Sequence, residues 1–101
     1  MRLKDKSILV TGSTTGIGEA IARRAIAEGA RVVVHGRDED RGQALVAEFP
    51  GQATLAIADL ADPAAGRQLV DATLKAYGTL DAIVNNAAWV DVMVPGSARG
   101  D

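Results

Sequence analysis

The apolar run Ser7-Ile8-Leu9-Val10-Thr11 is too short for a helix and is stopped by Gly12, which predicts a buried strand. The pattern then changes to a helical period. Between Gly16 and Ala30, Ile17, Ala20, Ile21 and Ala25 fall on one side, Glu19 and Arg23 pair at i,i+4 on another, and Gly29 closes the segment. Arg31 to His35 carries consecutive valines, and a β-branched run that is apolar on both faces marks a strand of a parallel sheet covered on both sides. Asp38, Glu39 and Asp40 place negative charge where a second helix begins, with Gly42, Leu45, Val46 and Phe49 on its inner face and Pro50-Gly51 as its stop. Ala53 to Ala58 is a third short apolar run. Asp62-Pro63 then offers an N-cap and an N1 proline to a third helix, which carries Ala65, Leu69, Ala72 and Ala76 inward as far as Gly78. Leu80 to Asn85 reads as the fourth strand.

This strict alternation implies right-handed crossovers and an α/β fold, a parallel, doubly wound sheet in three layers. Helices one and two should cover one sheet face and helix three the other. Strand four becomes an edge, with Ile83 and Val84 patterned for a neighbour beyond them, so self-association through that edge is expected. Residues 1–94 contain no linker or repeat and read as one domain or part of one. Trp89 to Val94 is apolar without a clear period, and Pro95 to Asp101 reads as a frayed tail.

At 101 residues with 48% hydrophobic and 24% charged positions, the chain has the composition of an ordinary globular domain rather than a disordered or fibrous one. Lys and Arg are scattered and the net charge is -2, so no basic stripe is available to nucleic acid. The absence of Cys removes disulfides, zinc fingers and thiol nucleophiles, and a single His excludes a His-rich metal site. Behind Arg2, Lys4 and Lys6 the apolar stretch is too short for a signal peptide, and no segment reaches transmembrane length. A cytoplasmic location is the expectation.

The chemistry is concentrated between strand one and helix one, where Gly12, Gly16 and Gly18 are spaced G-x3-G-x-G. Gly12 permits a tight exit from the strand, Gly16 removes a side chain where a pyrophosphate would approach, and Gly18 allows close packing of the helix. The first-turn N–H groups of the helix then face an anion. The same glycines would also serve a turn that is merely close-packed. Their position at the first strand–helix junction favours the anion-binding use.

TGxxxGIG at residues 11–18, Asp59 after the third strand and Asn85-Asn86-Ala87 after the fourth occur in the order found in short-chain dehydrogenases/reductases, which this chain resembles from Lys6 to Ala88. The resemblance implies a partial Rossmann-like fold that binds a dinucleotide through Gly12, Ser13, Thr14, Gly16, Ile17 and Gly18. It implies that Asp59, followed by Leu60, accepts from the adenine amino group. Asn85, Asn86 and Ala87 would support the central sheet and pass beside the adenine ribose. Ala88 departs from the family's usual glycine and would crowd the cofactor slightly.

An acidic residue ending strand two would accept from the ribose 2′-OH of NAD and repel a 2′-phosphate. Gly36 stands there, followed by Arg37, whose guanidinium can pair bidentately with a phosphate. NADP is therefore expected over NAD. By the resemblance Thr14 adds a hydroxyl contact to that phosphate, or Ser13 if the turn sits differently. Arg37 also neighbours Asp38, Glu39 and Asp40, so a solvated ion-pairing role stays open. His35 reads as a strand-end residue near the adenine edge.

Family catalysis uses Ser with Tyr-x-x-x-Lys, where the Tyr transfers a proton. The single Tyr77 is followed at that spacing by Asp81 and reads as a packing residue. No catalytic residue is assigned, and the chain alone is expected to be inactive. The resulting reading is the NADP-binding segment of an oxidoreductase that moves hydride between NADP(H) and an alcohol or carbonyl, with its catalytic half outside this chain. A non-enzymatic dinucleotide-binding module, or an interaction fragment that pairs through the sheet edge, is the alternative.

Overall fold

In the computed structural model, which describes residues 2–14, 16–36 and 38–86, four strands alternate with three helices. They are β1 (Ser7–Thr11), α1 (Gly16–Ala27), β2 (Arg31–His35), α2 (Glu39–Glu48), β3 (Ala53–Ala56), α3 (Ala65–Tyr77) and β4 (Ala82–Asn85). All strand pairs are parallel and the sheet order is β3-β2-β1-β4. The expected α/β architecture is thus present: the chain builds outward from β1 through β2 to β3, then crosses back to place β4 on the other side of β1.

Alternation along the strands divides the interior into two apolar layers. Ile8, Val10, Val32 and Val34 point to one face, where Ala22, Ala25 and Ile26 of α1 and Leu45 of α2 cover them. Leu9 and Val33 point to the other, where Ala65 and Leu69 of α3 meet them. The valines of β2 are apolar on both sides because both sides are covered.

The helices keep their expected places but present different rows to the sheet. In α1 the buried residues are Gly18, Ala22, Ala25 and Ile26, whereas Ile17 is 73% exposed and Ala20 is also exposed. Small residues at 18 and 22 allow the helix backbone close to the sheet, and this turns the bulkier Ile17 and Ile21 onto the flank. With Leu3, Ile8, Arg24 and Val84 they line an open groove of about 430 Å³. In α3 the contact follows Ala65, Leu69 and Thr73, leaving Ala76 exposed and Ala72 half-buried. An i,i+4 row winds slowly around a helix, so this line of contact ends on residue 77 rather than 76. Thr73 can be buried because its hydroxyl donates to the Leu69 carbonyl at 2.9 Å.

Local signals account for the element ends. Asp38 caps α2 by accepting from the Arg41 amide at 3.0 Å. Asp62 accepts from the Ala64 amide at 2.8 Å, one turn ahead of the first α3 residue, so the Asp-Pro pair shapes the approach to the helix rather than its first turn. β3 stops at Ala56, two residues short of the expected end. β4 starts at Ala82 rather than Leu80, because Asp81 is already engaged with β1: its amide donates to the Ser7 carbonyl and its carboxylate accepts from the Ser7 amide, both at 2.8 Å.

Arg23 joins the two helices of one layer. It contacts Glu19 at 2.8 Å, grips both carboxylate oxygens of Glu48 at 2.8 Å, and lies over the Phe49 ring. The guanidinium holds the Glu48 carboxyl below its ordinary value and is itself held further up. β4 is paired with β1 alone among the described residues, and Ile83 is 46% exposed. No helix among the described residues is long and apolar enough to cross a membrane.

Two leucines of α3 should respond very differently to truncation. Leu69→Ala empties a buried site and should cost about 2–5 kcal/mol, while Leu74→Ala, at an exposed site, should stay within about 0.5 kcal/mol. Urea midpoints of the two variants check this, and equal losses would contradict the assigned face.

Candidate functional site

Parallel strands bring all their carboxyl ends to one edge, and the chain reverses its direction of growth between β1 and β4. In open α/β sheets the crevice at such a switch point is where ligands bind. Here it contains the glycine-rich turn that follows Thr11, next to Asn86 at the end of β4.

The turn is strapped on both sides. Gly12 has φ of 63°, a conformation that only glycine adopts readily. Its amide donates to His35 Nδ1 at 3.1 Å, and its carbonyl accepts from Asn86 Nδ2 at 3.3 Å. The Thr11 hydroxyl accepts from the Asn86 amide at 2.9 Å and donates to the Val84 carbonyl at 3.3 Å. Ser13 is fully buried: its amide donates to the His35 carbonyl at 2.6 Å, and its hydroxyl accepts from the His35 amide at 2.8 Å. The Ser13 side chain therefore faces β2.

The remaining glycines divide the labour around this strap. A Cβ on Gly18 would overlap the Gly12 carbonyl oxygen and the Asn86 amide, so α1 can start this close to the turn only without one. Gly16 has φ of 57°, is exposed, and would place a Cβ in open space. The first-turn amides of α1 lack intrahelical acceptors, and no described residue comes within 4 Å of a side chain placed at Gly16. Ile17 stands exposed beside it. Thr14 is buried against Gly36, and a Cβ on Gly36 would overlap its side chain.

Asp59 and Leu60 follow β3 on the same edge. Asp59 is exposed, and its Oδ1 accepts from the Ala61 amide at 2.9 Å, which fixes the carboxylate in a short turn. Leu60 is half-buried and packs into the α3-side layer. The structure therefore joins Gly12, Ser13, Gly18 and Asn86 directly, sets Thr14 on Gly36, and places Asp59 farther along the edge. Arg37, Ala87 and Ala88 lie outside the described residues, as do Trp89–Val94 and the 95–101 tail. The sequence reading gave His35 no part in holding the turn; its only signal there is a polar ring closing an apolar run inside a covered sheet.

Tyr77 stands elsewhere. Its hydroxyl is 3.0 Å from the Val32 carbonyl and 3.1 Å from the Thr54 hydroxyl, near the amino ends of β2 and β3, and the Arg31 guanidinium lies 5.2 Å from its ring centre. It anchors α3 at the edge opposite the glycine-rich turn. Burial pushes its hydroxyl pKa up.

A doubly wound sheet with a bare-backboned turn and a helix N-terminus at its switch point defines a Rossmann-type nucleotide-binding architecture. The short chain dehydrogenase family model matches residues 6–98, and the chain belongs to that family. It is 46% identical over 94 residues to an L-rhamnose 1-dehydrogenase (NAD(P)(+)) of Azotobacter vinelandii, covering 86% of this chain and 37% of that protein. It is 41% identical over 88 residues to an NADP-dependent (R)-specific alcohol dehydrogenase of Lentilactobacillus kefiri, covering 85% of this chain and 35% of that one. A crystal structure of a short chain dehydrogenase from Bacillus anthracis superposes with a TM-score of 0.78 at 31% identity, covering 85% of this chain and 36% of its own. The chain thus spans roughly a third of the length of these three relatives and corresponds to the family's N-terminal, NAD(P)-binding region.

The raised Tyr77 pKa has a defined pH consequence. Because the folded chain disfavours tyrosinate, stability is unaffected below the ordinary value near 10 and falls as pH rises past it, where the unfolded chain ionises first. Tyrosinate absorbance should appear late, together with unfolding, and Tyr77→Phe should flatten the alkaline decline of the melting temperature. A normal titration by a folded chain would count against this burial.

Proposed function

We propose that this chain is the cofactor-holding part of an NADP-dependent short-chain oxidoreductase. The observation that carries the reading is the turn itself: a side chain at Gly16 would meet nothing within 4 Å among the described residues, while Gly12 is held by His35 of β2 and by Asn86 beyond β4, with Gly18 packed against its carbonyl. In this reading a dinucleotide would lie there, with Gly12, Gly16, Ile17 and Gly18 bordering its pyrophosphate, Thr14 its 2′-phosphate, and Asp59 and Asn86 its adenosine; Ala87 and Ala88 are assigned to the adenosine by their place in the sequence alone. Ser13 would act through its fold rather than its hydroxyl. When bound, the cofactor supplies hydride exchange with an alcohol or carbonyl carbon, and this chain supplies binding and orientation. The acid–base group of that reaction comes from outside these residues.

Preference for NADP over NAD is supported by the end of β2. Gly36 offers no carboxylate to a ribose 2′-OH, and the space a side chain would need there is taken by Thr14. Arg37 follows with a guanidinium suited to a 2′-phosphate. The NADP dependence named for the Lentilactobacillus relative agrees with this reading, and the Azotobacter relative is named for both cofactors. The exposure of Ile83 on β4, a strand paired with β1 alone among the described residues, supports a second element of the proposal, self-association of the chain.

Calorimetric titration with NADP and NAD tests the first element. NADP should bind at least about tenfold tighter, and Arg37→Ala should remove that margin, worth about 1.4 kcal/mol, while leaving NAD binding nearly unchanged. A folded chain that binds neither dinucleotide would sink the reading. Sedimentation tests the second: the chain should run above its 10.4 kDa monomer mass, and a clean monomer at high concentration would refute self-association.

A further inference from the structure

His35 closes β2 and is 2% exposed, yet both of its ring nitrogens are used. A backbone amide can only donate, so Nδ1, 3.1 Å from the Gly12 nitrogen, must be an acceptor without a proton. A backbone carbonyl can only accept, so Nε2, 2.9 Å from the Ala58 oxygen, must carry the proton. The two partners together specify a neutral ring in the Nε2–H tautomer. The backbone of the same residue holds Ser13 through both its amide and its carbonyl. One residue of β2 therefore spans the distance from the glycine-rich turn to the segment after β3 that carries Asp59.

We infer that His35 is a positioning residue for dinucleotide binding. Its imidazole sets the Gly12 amide relative to Ala58, and through them the glycine-rich turn relative to Asp59. This rests on the dinucleotide-binding reading above. Gly12 depends on the ring because its carbonyl is already taken by Asn86, so the amide is the second of its two fixed points. An apolar side chain at 35 can fill the same volume but leaves that amide without its acceptor, so Gly12 loses one of its fixed points while the Asn86 and Ser13 bonds remain. Asparagine, whose side-chain oxygen lies close to the position of Nδ1, can restore the acceptor but cannot reach Ala58.

The test uses the full 101-residue chain and has two arms. Nitrogen-15 NMR of the imidazole should report an unprotonated Nδ1 and a protonated Nε2 in the chain without cofactor; the opposite tautomer would overturn the inference. In the second arm, NADPH affinity is read by fluorescence titration at a temperature where every variant is folded. His35→Leu should weaken binding about tenfold and His35→Asn should recover most of that loss. Leu45→Ala, buried in the layer of α1 and α2 on the other face of the sheet from the His35 ring, lowers stability and should leave affinity unchanged. If His35→Leu does not fold, the tautomer and the affinity of His35→Asn decide, and an asparagine chain about tenfold weaker than the wild type would count against the inference. Wild-type affinity retained in folded His35→Leu would overturn it alone, whereas a wild-type chain that binds no dinucleotide removes the reading beneath it.

Discussion

Gly12 is held by side chains from both neighbouring strands, its amide by His35 of β2 and its carbonyl by Asn86 beyond β4. The carboxyl edge of the sheet is organised around this pair of bonds. Such bonds contribute about 0.5–1.5 kcal/mol each, which is modest for the stability of the chain. Their larger effect is geometric, since they fix the backbone at the point where the sheet splits and where α1 must begin. Thr11 reinforces the same junction by bonding to both Val84 and Asn86, so the end of β4 is tied to β1 by side chains as well as by the ladder.

Close approach is the condition for this arrangement, and small residues meet it. Gly18 brings α1 onto the Gly12 carbonyl, and Ala22 continues the contact along the helix. Gly36 admits the Thr14 side chain and Gly42 admits that of Leu55. Each glycine leaves room for a named neighbour. The cost appears on the flank of α1, where Ile17 is exposed and, with the half-buried Ile21 and Val84, lines an apolar groove. The side of the molecule that holds the turn tightly is therefore continuous with the side that exposes apolar surface.

Three polar side chains inside the layers are bonded to backbone groups. Ser13, Thr73 and His35 are buried, and each has its bonds directed to backbone groups of neighbouring segments or of its own helix. Tyr77 does at the amino edge what His35 does at the carboxyl edge, joining a helix end to β2 and β3 through its hydroxyl. The two edges have become chemically distinct: one is closed by an aromatic anchor, and the other is a backbone-lined crevice.

The sequence by itself determined the order and type of the elements, the covering of β2 on both faces, the Glu19–Arg23 pair and the acidic start of α2. These depend on period and on neighbours within about four residues, which a linear pattern records directly. It also marked the glycine-rich turn as the place where chemistry would lie. Only the tertiary structure decided that Ile17 would be exposed and Thr73 buried, because the angle at which a helix meets the sheet selects one of several adjacent rows. It likewise decided that the Ser13 hydroxyl faces β2, that Thr14 occupies the space beside Gly36, and that His35 holds Gly12. Those contacts join residues more than twenty positions apart, and they exist only once β1 has been set between β2 and β4.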